Sequence, residues 1–124
     1  MVEFMLMFSV ISTNLDLPKD LLRSVCYVET KHKVHAVHKN DGGEDSLGIC
    51  QIKLSTARQL GFKGSRKELM TPFNNAYYAG AYLKHQINRY GAVHKAIVAY
   101  NVGHYTPKYT RYLNKVMKVM KEGQ

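Results

Sequence analysis

The sequence is poor in acid. Nine Asp and Glu stand against eighteen Lys and Arg, a net charge of +9, so the surface carries a positive field that draws polyanions and quickens encounter with them. Nucleic acid, acidic membrane surfaces and anionic cell-wall polymers all suit that sign, and affinity for any of them should weaken with salt. Cysteine is also scarce: Cys26 and Cys50 are too few for a disulfide-built scaffold and lack the repeated close spacing of a zinc site. Both are expected as buried free thiols, with one bridge between them as the alternative. Long apolar runs are missing. The stretch at residues 4–11 falls far short of the ~20 apolar residues a membrane span needs. Glu3 stands where a signal peptide has basic residues, and no small-residue cleavage site follows. The stretch therefore reads as a first core helix. No repeat, linker or low-complexity tract interrupts the chain, and its apolar and charged shares are ordinary, which excludes a disordered protein. At 124 residues the expectation is one compact domain over 1–124, monomeric and without a transmembrane segment.

Local signals then divide the chain. Pro18 suits the first position of a helix and Asp20 its first turn, while apolar residues recur at Leu21, Leu22, Val25, Cys26 and Val28; this predicts a helix ending near Thr30. Periodicity lapses over residues 31–44, which close on the turn chemistry of Asn40-Asp41-Gly42-Gly43. Residues 47–54 carry apolar side chains at both parities, as a short buried strand or an extended turn does, so a small β wing is expected here. Ser65 with Glu68 forms a capping-box pattern, and Thr71-Pro72 and Thr106-Pro107 each place a cap before a proline, predicting helix starts at both. The first of these presents Tyr78, Tyr82, Leu83 and Ile87 and stops at Gly91. A buried helix follows over residues 92–100. The last runs from Pro107 to about Lys121 with Tyr109, Tyr112, Leu113, Val116 and Met120 inward. The class is mainly α with a minor β element.

So few carboxylates allow elimination. Glu3, Asp16, Asp20, Glu68 and Glu122 lie near helix starts or chain ends, where solvated or capping roles suffice, and Asp41, Glu44 and Asp45 share the glycine-rich turn. Glu29 alone lies on an apolar helical stripe, beside Val25 and Cys26. Burial and the negative end of its helix both penalise its charged form, so its pKa should rise. A general acid needs that in order to hold a proton near neutral pH. A core-edge Glu paired with Lys or Arg would look the same by periodicity alone.

The order of short segments goes further. Glu29-Thr30 ends a helix, Gly48-Ile49-Cys50-Gln51-Ile52 follows a turn, and Ala99-Tyr100-Asn101-Val102-Gly103 closes a buried helix. With Ser55-Thr56-Ala57 and the stretch 75–83, this resembles the catalytic domain of the soluble lytic transglycosylase (SLT) family over residues 21–116. Where the family usually has Glu-Ser, Gly-Leu-Met-Gln and Ala-Tyr-Asn, Thr30 here replaces Ser and keeps a hydroxyl, while Ile49 and Cys50 replace Leu and Met and stay apolar. The resemblance implies a lysozyme-like helical domain with a small β wing and a substrate cleft, acting on bacterial peptidoglycan glycan strands at the cell wall. Glu29 would protonate the glycosidic oxygen after N-acetylmuramic acid, then act as base on that sugar's 6-hydroxyl, giving a 1,6-anhydro end without water. The 2-acetamido group would assist, a substrate-assisted exception to the two-carboxylate scheme. Tyr100 would orient Glu29 through its hydroxyl, and Asn101, Gln51, Ser46 and Thr30 would contact or order the sugar. No cofactor or metal is implied. A domain of this kind without a recognisable leader fits a phage- or conjugation-type wall-degrading protein.

Other signals point elsewhere. His32, His35 and His38 fall three apart, but no carboxylate or Cys completes a zinc spacing, so solvated loop histidines are expected. Lys108, Arg111, Lys115, Lys118 and Lys121 form a basic stripe on the last helix. It is either a solvated face or a means of holding an anionic wall. Two rival functions follow: a hydrolytic muramidase using Asp41, Glu44 or Asp45 to activate water, and a noncatalytic nucleic-acid-binding domain. The latter leaves Glu29, Gln51 and Tyr100 without a purpose, so no nucleic acid partner is expected.

Overall fold

The computed structural model describes residues 2–123, and side chains from residue 4 onward. The solvated or capping role expected of Glu3, like the two end residues of the 1–124 domain, lies outside that description. Seven helices and three strands follow in the order α1 (Val2–Asn14), α2 (Leu21–Thr30), β1 (Val37–Asp41), β2 (Glu44–Leu47), β3 (Ile52–Lys53), α3 (Leu54–Gln59), α4 (Arg66–Leu69), α5 (Pro72–Tyr90), α6 (Val93–Val102) and α7 (Thr110–Glu122). The strands form one antiparallel sheet in sequence order. A mainly helical architecture with a small β wing is the result.

Helix α5 is the hub. Pro72 opens it, where its missing N–H costs nothing, and Gly91 ends it in the left-handed conformation at φ +71° with its N–H bonded to the Ile87 carbonyl. Its buried face is built from Ala76, Ala79, Gly80 and Leu83, with the polar Asn75 and Gln86 buried beside them. A Cβ on Gly80 would stand 2.9 Å from Leu15, so glycine there lets the end of α1 approach closely. Against α5 pack α1, α2 and α6, with α7 closing over α2 and α6. Ile11, Leu21, Leu22, Val25, Ile97 and Val116 are fully withdrawn from water in this main core, each contributing roughly 1.5–3 kcal/mol. A smaller core of Leu47, Ile52, Ala57, Phe62 and Leu69 lies under the sheet, α3 and α4. Tyr82 packs against both cores and marks where they meet.

Several local expectations fail for physical reasons. Helix α2 starts at Leu21 rather than Pro18; Asp20 occupies the cap position at φ +68° without a side-chain cap bond and instead reaches Arg23 at 3.5 Å. Thr106-Pro107 does not open α7: the Thr106 carbonyl accepts a single long bond from the Tyr109 N–H, one isolated turn, and the helix begins at Thr110. Tyr109, expected inward, consequently lies exposed before the first turn, and Val119 completes the buried face with Val116. Strand β1 arises within the polar stretch, and the Gly42-Gly43 turn, at φ +69° and +96°, joins it to β2. His32 is a buried residue, not a solvated one. Its Nε2 lies 3.1 Å from the Arg23 carbonyl and its ring packs on Phe8, while His35 and His38 are exposed. The apolar stretch of α1 is only partly a core helix: Phe8 and Ile11 enter the core and Phe4 and Met7 pack at its edge, while Met5, Leu6 and Val10 face outward.

Cys26 and Cys50 are joined in a disulfide, against the expectation of two free thiols. Both are fully buried, and their Cα atoms lie 4.2 Å apart. The bridge ties α2 to the turn between β2 and β3.

Candidate active site

Glu29 sits in the last turn of α2, which Lys31 ends in the left-handed conformation with its N–H on the Tyr27 carbonyl. One turn back, Cys26 bonds covalently to Cys50, and the Thr30 hydroxyl donates to the Ile49 carbonyl at 2.8 Å. The end of α2 is thus fastened twice to the turn at residues 48–51. That turn is itself held from behind by Asn75 of α5, which is fully buried. Its amide donates to the Leu47 and Leu69 carbonyls at 2.8 and 3.0 Å, and its oxygen accepts the Cys50 N–H at 2.8 Å. Gly48 passes so near that a Cβ there would stand 2.3 Å from the Asn75 amide nitrogen, and its φ is +79°. From α6 the Tyr100 hydroxyl donates to the Cys50 carbonyl at 2.5 Å. Every handle of Cys50, its N–H, carbonyl and sulfur, is therefore in use.

These constraints shape a cleft of about 460 Å³ lined by Glu29, Asp41, Ser46, Gln51, Tyr82, Tyr100 and Asn101. The Tyr112 hydroxyl of α7 donates to Glu29 Oε2 at 2.6 Å. Burial is the main influence on the Glu29 carboxyl and pushes its pKa up from 4.5 to about 7; the Tyr112 bond pulls it back, and the negative charge of Asp41 adds to the rise. Among the described residues no cation forms an ion pair with Glu29. At neutral pH the group is divided between acid and carboxylate, as a residue that both gives and takes a proton requires. Burial also holds the Tyr100 and Tyr112 hydroxyls protonated, with the neighbouring Glu29 charge adding to the effect.

The cleft brings together Glu29, Ser46, Gln51, Tyr100 and Asn101. Gln51, at φ +58°, donates from its amide to the Ala36 and Gly48 carbonyls at 3.1 and 3.0 Å, and the Ser46 hydroxyl donates to Asp41 at 2.7 Å. Asn101 is exposed at the rim. Two sequence expectations shift. The Tyr100 hydroxyl is spent on the Cys50 carbonyl rather than on Glu29, and Thr30 stands outside the cleft with its hydroxyl bonded to backbone. Tyr112, Tyr82 and Asn75 carry no sequence signal for a place at the site, yet Tyr112 bonds Glu29, Tyr82 lines the cleft and Asn75 holds the turn behind it. Periodicity placed Tyr112 inward, but nothing local connects it with a residue 83 positions away.

The three turn carboxylates separate. Glu44 accepts from the Ser55 hydroxyl and N–H, which hold it below its ordinary range, and Asp45 accepts from the Asn40 N–H and pairs with Arg66 at 3.0 Å. Of the three, Asp41 lines the cleft. Among the described residues no three His, Cys, Asp or Glu side chains converge as a metal site would require. No described helix is long and apolar enough to cross a membrane. A larger groove of about 570 Å³ runs between α1 and the start of α2, but it shares no residue with the cleft.

Comparison with known proteins gives the family and the fold. The X polypeptide of Escherichia coli is 29% identical over 86 residues, 68% of this chain and 51% of that protein. Protein IpgF of Shigella flexneri is 29% identical over 90 residues, 71% of this chain and 59% of that protein. The chain thus spans little more than half the length of these curated relatives. Among solved structures, an inactive mutant of the lytic transglycosylase Slt from Pseudomonas aeruginosa matches with a TM-score of 0.67 at 19% identity, over 91% of this chain and 20% of that one, a likeness of fold. The family model for the transglycosylase SLT domain matches residues 7–121, nearly the whole chain, and the chain belongs to that family.

Proposed function

We propose that this domain is a peptidoglycan lytic transglycosylase in which Glu29 serves first as acid and then as base. The observation that carries the reading is the isolation of Glu29: a carboxyl with a pKa near 7, at the wall of a cleft, held by a neutral Tyr112 hydroxyl instead of a cation. Protonated Glu29 delivers its proton to the glycosidic oxygen as the bond from muramic acid C1 breaks. The resulting carboxylate takes the proton of the 6-hydroxyl as O6 closes onto C1, which restores the acid and consumes no water. Family membership and the likeness of fold to a lytic transglycosylase support this chemistry. In this reading Tyr112 orients Glu29, and Gln51, Asn101 and Ser46 contact the sugar. Tyr100 and Thr30 act one step back, by fixing the turn that presents Gln51. The Cys26–Cys50 bridge suits a protein working outside the reducing cytoplasm, at the cell wall.

A second reading has one observation in its favour: Asp41 shares the cleft with Glu29 and could activate water for hydrolysis. Glu44 and Asp45 are committed to Ser55, Asn40 and Arg66, which removes them from that role. Mass spectrometry of digested peptidoglycan decides between the two. Transglycosylation gives 1,6-anhydro-muramic ends, each one water lighter than the hydrolysed equivalent. Reducing ends alone would overturn the proposal and promote Asp41.

A further inference from the structure

The positive charge is not spread evenly along the chain. Residues 69–121 hold eight Lys and Arg and not one Asp or Glu, so α5, α6 and all but the end of α7 lack a carboxylate of their own. Among the described residues one of these eight cations, Lys84, reaches an acid, Asp16 at 3.8 Å. Two others meet where α5 gives way to α6. Arg89 lies 4.8 Å over the ring of Tyr90, and Lys95 lies 5.3 Å over the ring of Tyr105. The Tyr105 N–H donates to the Tyr90 hydroxyl at 2.9 Å, and the two rings meet edge to face at 6.1 Å. The loop after α6 is thereby fastened to the end of α5, and both cations are held on one small surface, with exposed His94 beside Tyr105 at 6.3 Å. Arg89 also donates a long bond, 3.4 Å, to the Gly103 carbonyl, and Gly103 lines the cleft. The basic surface thus begins at the cleft rim.

We infer that this surface, built on Arg89 and Lys95, binds a phosphodiester polymer carried by the glycan strand and so holds the enzyme to polymer-bearing wall. The inference rests on the reading of the cleft as a peptidoglycan site. Charge complementarity selects a polyanion: cations fixed side by side without acids attract an anionic chain, and each phosphate taken up relieves the repulsion between them. A polymer attached to the glycan passes from the cleft rim onto Arg89, whose planar fork suits phosphate oxygens. Nucleic acid carries the same phosphates, yet proteins that grip its single strands offer open aromatic faces to the bases. Here Tyr90 and Tyr105 are half-buried, and each has a cation over its ring. The surface offers charge without a stacking platform.

The test measures binding at low salt on Glu29→Gln, with soluble poly(glycerol phosphate), which contains no glycan, and with wall sacculi before and after acid removal of their phosphate polymers. The soluble polymer should bind, and intact sacculi should be favoured over stripped ones by roughly three- to tenfold, the range expected of a few exposed charge pairs. Arg89→Gln with Lys95→Gln should abolish the first and bring the ratio close to one. Arg89→Lys with Lys95→Arg keeps both charges and should retain most of both effects; their loss in this pair would give the two residues a structural role instead and overturn the inference. Lys118→Gln with Lys121→Gln, in the last turns of α7, should leave both effects where they were. An equal loss there would assign binding to the general positive field, and equal affinity for the two wall preparations would likewise overturn the inference. Duplex DNA or anionic phospholipid vesicles that displace the polymer at a lower phosphate concentration would reassign the surface to those partners. Turnover of stripped glycan by the unaltered chain decides the transglycosylase reading separately, since the soluble polymer bypasses the cleft.

Discussion

Replacing Glu29 by Gln should abolish turnover and at the same time make the domain more stable at alkaline pH. The carboxyl ionises near 7 in the folded chain and at 4.5 when unfolded. Between those values the folded state binds the extra proton, so stability is lost as pH rises through the window, and the loss is complete above about 7. A rise of that size corresponds to at most about 3 kcal/mol. Glu29 is partly reached by solvent, so about 1–3 kcal/mol is the working range. Gln is nearly isosteric, can still accept the Tyr112 hydroxyl and never ionises, so the variant escapes the penalty. For a chain of 124 residues the gain corresponds to a rise in Tm of roughly 4–10 °C at pH 8, vanishing at pH 4. Activity should fall by ~10²–10⁴-fold or more, since one group serves both proton transfers. The assay pairs release of muropeptides, followed by mass spectrometry, with thermal unfolding at the two pH values. A Glu29→Gln protein that loses stability at pH 8 yet remains active when folded would refute the reasoning and return Glu29 to a structural role.

Tyr112→Phe removes the bond that favours the Glu29 carboxylate, so the alkaline limb of the kcat/KM profile, set near 7 by loss of the acid's proton, should move up by about one pH unit; an unmoved limb would show that the contact does not tune the acid. Cys26→Ala with Cys50→Ala, or reduction of the unaltered chain, should cost about 3 kcal/mol in a urea titration, the value for a loop closed across 24 positions. Reductant should have no further effect on the double variant. Gly48→Ala should cost about 2–4 kcal/mol, because the new Cβ meets the Asn75 amide at a positive φ. It should also lower activity in the protein that still folds, since Asn75 holds the turn that presents Gln51; full activity would detach that turn from function.

Where structure depended on nearest neighbours, it was legible. The Ser65 and Glu68 reciprocal cap forms as read, and Gly91 ends α5 as a C-terminal glycine should. Thr106-Pro107 carries the same kind of local signal as Thr71-Pro72 yet yields only a turn. Tyr109 stands at helical spacing from Tyr112 and Leu113 but is exposed, and packing on α2 and α6 holds α7 from Thr110 onward. Strand β1 is exposed on nearly every residue, so it shows none of the alternation by which half-buried strands are recognised. His32 reads as polar and is buried because α1 brings Phe8 against it from 24 positions away.

The candidate site divides along the same line. Glu29 could be singled out because desolvation of a carboxylate is foreshadowed by an apolar stripe on its own helix. The means of holding it could not be read, since each is a contact between distant segments: Cys26 with Cys50, Thr30 with Ile49, Asn75 with the turn at residue 48, Tyr112 with Glu29 itself. The exchange between the two tyrosines is the instructive case. Both hydroxyls are buried and both lie within the electrostatic reach of Glu29. Tyr100 belongs to the segment Ala99-Tyr100-Asn101, yet its proton goes to the Cys50 carbonyl, while Tyr112, in a helix that looks like a basic, solvated face, reaches the acid. Through the Tyr112 hydroxyl, α7 therefore holds the Glu29 carboxyl from the far end of the chain. A helix whose basic stripe reads as a solvated face or a wall anchor thus touches Glu29 directly, which is why Tyr112→Phe should shift the pH profile while substitutions at Lys118 or Lys121 leave it unmoved.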